Sequence, residues 1–122
     1  MKNIRIIPKL DIKGANLVKG INYEGLRVIG DPQNFAKYYY KQGADEIIYQ
    51  DVVATLYQRN NILDIVTKTV EGVFIPLTVG GGIRTLEDIE SALIAGADKV
   101  FLNTAALENP NIINDAIRIK ID

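Results

Sequence analysis

Four short runs rich in β-branched and aromatic residues punctuate this chain: Ile4–Leu10, Glu46–Gln50, Ile75–Val79 and Lys99–Leu102. Each is followed by a helical pattern with its own end signals. Asp31 can cap a helix whose first position is Pro32, and Gly43 follows its end. Asn60 or Asn61 opens "ILDIVTKTVEG", where Ile62, Leu63, Ile65, Val66 and Val70 share a helical face and Gly72 is the stop. Thr85 opens "LEDIESALIAG", with Glu87 and Asp88 near its positive end and Gly96 closing it. Asn109 and Pro110 repeat the Asx-Pro start for a last helix. Near-continuous apolar strands with helical crossovers mean a parallel sheet with right-handed connections. The expected architecture is α/β, four βα units in one domain spanning residues 1–122.

Composition removes several kinds of chemistry. The chain has no Cys, His or Trp and a net charge of −1. Without Cys there are no disulfides, thiolate zinc sites or thiol nucleophiles. Without His the commonest general base and metal ligand is missing. We expect no metal and no cofactor. Near-neutral charge offers no argument for nucleic acid or an anionic membrane. No apolar run approaches the roughly 18 residues of a membrane span. "MKNIRIIPKLD" lacks a signal-peptide core. A cytoplasmic protein is the expectation.

An internal echo supports the β–α reading. "GADEIIYQD" begins at Gly43 and "GADKVFLNT" at Gly96, each a helix-end glycine, a turn and the next strand. The two lie two βα units apart, which points to a duplication.

Polar residues sort onto the two ends of the sheet. The strands' C-terminal ends carry Asp11, Asp51, Gly80 to Gly82, then Asn103 and Thr104; the N-terminal ends carry Arg5, Glu46 and Lys99. Parallel strands place their C-terminal ends at one edge, where ligands bind in barrels and open sheets. Alternation puts Arg5, Ile7, Lys9 and Asp11 on one face, with Glu46, Ile48 and Gln50, and Lys99, Phe101 and Asn103, on theirs. Gly80, Gly81 and Gly82 end the third strand and precede a helix. Bare N–H groups there can wrap a phosphate. A tight turn needing positive φ would account for one glycine; three exceed that requirement.

The segments "LDIKGANLVKG", "GDPQNFAKYYYKQGADE", "DVVAT", "TVGGGIRTLEDI" and "GADKVFLNTAALENP" closely resemble the cyclase subunit of imidazole glycerol phosphate synthase, from about Ile4 to Asn114. The resemblance implies a (β/α)8 TIM barrel of about twice this length, of which the chain would be the N-terminal (βα)4 half. It implies a lyase of histidine biosynthesis, taking ammonia from a partner glutaminase subunit and acting on a phosphorylated small-molecule substrate. Asp11 matches the family's catalytic aspartate on strand one. Lys19 matches a lysine in the mobile loop that closes on the substrate. Gly80 to Gly82 with Asn103 and Thr104 match one of two phosphate sites. Arg5, Glu46 and Lys99 match three of four charges that gate ammonia at the barrel floor; a solvated rim is the plainer reading of all three.

Two departures accompany the resemblance. The second catalytic aspartate, the second phosphate site and the fourth gate residue belong to later strands. The isolated chain should therefore lack cyclase activity. Position 9 is Lys where a small residue such as Cys is expected. Its ammonium needs a carboxylate, which a Lys9–Asp11 or Lys9–Asp51 pair would supply; altered chemistry is the other reading. Asp51 reads as a turn residue rather than a reacting one, and Lys19 also reads as a solvated lysine. "IPKLDIKGANLVKG" with "DVVATLYQRN" more closely resembles paralogues that supply ammonia to a sugar amidotransferase of surface polysaccharide synthesis. A non-catalytic phosphate-binding half-barrel is the third reading. Four βα units leave the first and fourth strands as edges, so a homodimer or higher oligomer is expected.

Overall fold

A computed structural model describes residues 4–20, 26–52, 59–102 and 110–118. Six strands form one sheet: β1 (Lys9–Lys13), β2 (Asn16–Gly20), β3 (Leu26–Gly30), β4 (Ile47–Asp51), β5 (Leu77–Gly80) and β6 (Lys99–Val100). The order across the sheet is β3-β2-β1-β4-β5-β6. β1, β4, β5 and β6 are parallel, as the alternation of runs requires. Among the described residues four helices lie between and after them: α1 (Pro32–Lys41), α2 (Arg59–Val70), α3 (Leu86–Ala95) and α4 (Asn111–Ile117).

The sheet corrects one expectation. The stretch after the first strand is an antiparallel hairpin, β2 and β3, rather than an irregular loop. Gly14, at φ +62, opens the two-residue turn that folds Asn16 back onto Lys13. The outer edges are therefore β3 and β6. The β1–β2 ladder is short, joining Ile12 with Leu17 and Lys13 with Asn16.

Helix ends follow local chemistry. Thr85 accepts from the Asp88 N–H, while the Asp88 carboxylate accepts from the Thr85 N–H. Such a box is worth about 1 kcal/mol. Asp31 occupies the N-cap position before Pro32 without a side-chain cap bond. Gly43 and Gly96 leave their helices at φ +96 and +126.

Leu10, Ile12, Ile47, Tyr49, Leu77 and Val79 turn one face of the sheet toward the helices, where Ala36, Ile62, Ile65, Val66 and Ala92 meet them. The other face, concave in a barrel, carries Lys9, Asp11, Ile48, Gln50 and Thr78, and none of the described helices covers it.

Tyr49 sits at the centre of this core, fully buried, its hydroxyl 2.6 Å from Thr69 Oγ1. Thr69 in turn donates to the Ile65 carbonyl. Burial pushes the Tyr49 phenol up to about 12, against a smaller opposing effect of the Thr69 bond. Below pH about 10 both folded and unfolded chains hold this proton, and stability is unaffected. Above it the unfolded phenol ionises first, so stability falls until the folded pKa is reached. Two units correspond to roughly 2–3 kcal/mol. Urea midpoints between pH 9 and 12 should show this loss in the native chain and a smaller one in Tyr49→Phe. Identical slopes would show that Tyr49 is not the group responsible.

The duplication has a physical counterpart. The Asp45 N–H donates to the Ile6 carbonyl and the Asp98 N–H to the Leu77 carbonyl. The Asp45 carboxylate accepts from the Ile6 N–H, and Asp98 from the Leu77 N–H. Ile48 N–H then meets the Pro8 carbonyl as Phe101 N–H meets that of Val79. The first two βα units and the second two thus share one register. The hairpin is an addition to the first pair.

Candidate functional site

The sheet's N-terminal edge carries a three-residue ion cluster. Arg5 Nη2 and Lys99 Nζ both donate to Oε1 of Glu46, the Lys99 bond at 3.0 Å. The Glu46 side chain is 11% exposed, whereas Arg5 and Lys99 are 58% and 57% exposed. Lys99 reaches across the base of β5 to do this, because β5 separates β4 from β6. The two exposed cations are screened, so each pair is worth about 1 kcal/mol or less. The cluster's consequence is geometric: it ties the first, second and fourth parallel strands together at one end of the concave face.

Asp11 stands at the opposite end of that face. It is half-buried, with Gln50 and then Gly80 as its row across the sheet. Lys9 lies one row below, level with Ile48 and Thr78. Lys9 is exposed and, among the described residues, forms no ion pair with Asp11. A Lys9–Asp51 pair is ruled out by the pleat. Asp51 shares the parity of Ile47 and Tyr49 and is buried on the helix side of the sheet. The expected pairing of Lys9 is therefore absent from the described residues, and Asp51 does not share a face with Asp11.

The three glycines each have a separate structural cause. A Cβ at Gly80 would stand 2.2 Å from the Phe101 ring, which lies across that position. A Cβ at Gly81 would stand 2.3 Å from the Asp51 carbonyl oxygen, and Gly81 has φ +79. Gly82 has φ +91. Packing and backbone conformation thus account for the run, and its length alone does not imply a ligand. The run still sits at the C-terminal edge, between β5 and the capped start of α3. A cleft of about 510 Å³ opens on its helix side, lined in part by Asp51, Ile62, Gly81, Ile83, Asp88 and Ser91. This cleft is on the face away from Asp11.

Lys19 lies on β2, exposed, opposite Arg27 of β3. Asn103 and Thr104 fall outside the described residues. Among the described residues no group of three or more acidic, His or Cys side chains is placed to hold a metal ion. No described helix is long and apolar enough to cross a membrane. Sequence reasoning missed the Asp45 and Asp98 latches, although the repeated Gly-Ala-Asp marked their place. It also missed the Phe101–Gly80 contact, which joins residues far apart in sequence and had no local signal.

Comparison with known proteins supplies the context for this arrangement. A family model described as histidine biosynthesis protein matches residues 5–120. The imidazole glycerol phosphate synthase subunit HisF of Legionella pneumophila is 59% identical over 118 residues, covering 97% of this chain and 56% of the relative. Those of Exiguobacterium sibiricum and Methanocaldococcus jannaschii are 52% and 53% identical, each over 94% of this chain but 46% and 42% of their own lengths. The chain spans about half the length of the curated relatives it matches. With four βα units in parallel order and a match along nearly its whole length, the chain belongs to the histidine biosynthesis protein family, a TIM-barrel family of which it holds a half-barrel.

Proposed function

We propose that residues 1–122 act as the N-terminal half of an ammonia-dependent cyclase of the imidazole glycerol phosphate synthase type. The observation that carries this reading is the concave face itself. The segment that leads into β1 bears Arg5 at the floor, bonded with Lys99 to Glu46, and β1 itself bears Asp11 toward the mouth. Ammonia delivered by a glutaminase partner at the charged floor would travel up this face toward Asp11. Asp11 would serve as one carboxylate of an acid–base pair, a role open to it because the chain lacks histidine. The N–H groups of Gly80 to Gly82, with Asn103 and Thr104, would hold one phosphate of the substrate, and Lys19 on the hairpin would close over it. The other carboxylate would come from the half of the barrel that completes the sheet.

The experiment is complementation. The chain is co-expressed with the C-terminal half of the Legionella pneumophila relative, and ammonia-dependent formation of imidazole glycerol phosphate is measured. Turnover by the purified pair and none by the chain alone is the expected result. A folded, stable pair without turnover would reject the cyclase reading.

Lys9 favours a second reading. An ammonium on the concave face, one row below Asp11 and without an ion-pair partner among the described residues, departs from the small residue that the cyclase resemblance leads one to expect. The chain would then be half of an ammonia-supplying subunit for a sugar amidotransferase. In that case the pair would stimulate its glutaminase without turning over the cyclase substrate.

A further inference from the structure

Phe101 lies flat against the wall of the sheet. A Cβ placed on Gly80 would have three successive ring atoms of Phe101, Cδ1, Cε1 and Cζ, at 2.3, 2.2 and 2.3 Å. A ring meeting that point edge-on would bring one atom close and leave its two neighbours farther away. Near-equal distances to three atoms mean that the ring turns its face to Gly80. The glycine supplies the room, because any side chain there would push the ring off the backbone. The pose is set by β5, inside the chain, and owes nothing to the outer edge of β6.

The register fixes what that ring stands level with. Asp11 pairs with Gln50, and Gln50 with Gly80. Val79 pairs with Val100, which brings Phe101 level with Gly80. One row of the concave face thus reads carboxylate, amide, bare backbone and flattened ring. In the row below, Ile48 and Thr78 raise side chains from the two middle strands. An eight-stranded barrel has an interior just wide enough for its side chains to fill. A row with no side chain at Gly80, and with its aromatic ring laid along the wall, leaves a flat slot in that filling at the level of Asp11.

We infer that Phe101 is a specificity-determining residue, a platform on which a planar, unsaturated ring of the substrate stacks with its edge toward Gln50 and Asp11. The ring over Gly80 stands two strands from Asp11, roughly 10 Å at about 4.8 Å per strand. Gln50, between them, offers an amide to the edge of the stacked ring. Gly81 and Gly82 continue the chain from the same row, so a phosphate on the same molecule reaches the glycine loop. An uncharged aromatic face attracts another flat ring and adds little for a saturated chain bearing the same phosphate. The inference rests on the cyclase reading for the phosphate loop and for imidazole as the ring.

The test uses the chain paired with the C-terminal half of the Legionella pneumophila relative, and two ligands that differ by one ring: imidazole glycerol phosphate and glycerol phosphate. Proton NMR should show the C–H resonances of the bound imidazole moved upfield by the ring current of Phe101. Phe101→Leu keeps an apolar side chain but has no ring. It should abolish that shift and weaken imidazole glycerol phosphate about 2- to 10-fold, the worth of an aromatic pair. Its affinity for glycerol phosphate should be unchanged. Phe101→Tyr should keep both the shift and the affinity. Equal weakening of the two ligands in Phe101→Leu, or a bound imidazole with no upfield shift in the native pair, would overturn the platform alone. Binding of neither ligand to the folded native pair would overturn the cyclase reading and the platform with it.

Discussion

Gly81→Ala is expected to cost roughly 2–5 kcal/mol and to leave much of the chain unfolded at 37 °C. Two effects add. A non-glycine residue at φ +79 costs about 1–2 kcal/mol. The new Cβ would also press on the Asp51 backbone, with its carbonyl oxygen at 2.3 Å and its nitrogen at 3.0 Å. Backbone cannot rotate away as a side-chain tip can, and overpacking of this kind typically costs about 1–3 kcal/mol. Two other glycines calibrate the measurement. Gly43 has φ +96 but open space around it, so Gly43→Ala should show the conformational cost alone. Gly72 has neither restriction, and Gly72→Ala should be neutral or slightly stabilising. Urea unfolding of the three variants checks the order. If Gly81→Ala costs no more than Gly43→Ala, the close approach of the glycine loop to β4 is not a real constraint.

Asp11→Asn in the completed barrel is expected to lower kcat by about 10²–10⁴, the usual worth of a positioned acid or base. Asparagine keeps the shape and the hydrogen-bonding span of the side chain but cannot exchange a proton near neutral pH. Asp11 is half-buried in the middle of β1, beside Gln50 and facing the open side of the sheet. Removing its charge should therefore change stability by less than about 0.5 kcal/mol, in line with substitutions away from a packed core. KM should stay within a few-fold, because phosphate binding is assigned to a different strand end. A rate within tenfold of the native pair would remove Asp11 from the chemistry. A matching fall in stability would instead make its role structural.

Much of the fold could be read in the chain because its determinants are local. Thr85 and Asp88 cap each other across three residues, and Gly43 and Gly96 supply positive φ where helices end. Alternation along β1 and β4 sorted Lys9 and Asp11 from Leu10 and Ile12 before any packing was known. The same alternation separates Asp51 from Gln50, so its place on the helix side was already legible. The hairpin was not, because "NLVKG" and "LRVIG" are short, glycine-ended runs whose main pairing partner is each other rather than the parallel sheet. The structural causes of the glycine run were hidden for a related reason. A ring at Phe101 and a carbonyl at Asp51 dictate two of its members, and neither neighbour is close in sequence. The floor cluster was legible as three charges at strand starts, but their convergence on one Glu46 oxygen depends on how far Lys99 reaches.

The Asp45 and Asp98 latches have a consequence for how the chain opens. Each aspartate clasps backbone on both sides of one strand pair, and both clasps lie inside a pair of βα units. Loss of a clasp frees two amides together, Ile6 with Asp45 or Leu77 with Asp98. Native-state hydrogen exchange should therefore resolve two foldons, with each clasped amide pair exchanging as a unit and the two pairs at different rates. Only the first foldon carries the hairpin, and its outer strand is bare, so it should be the one that exchanges faster.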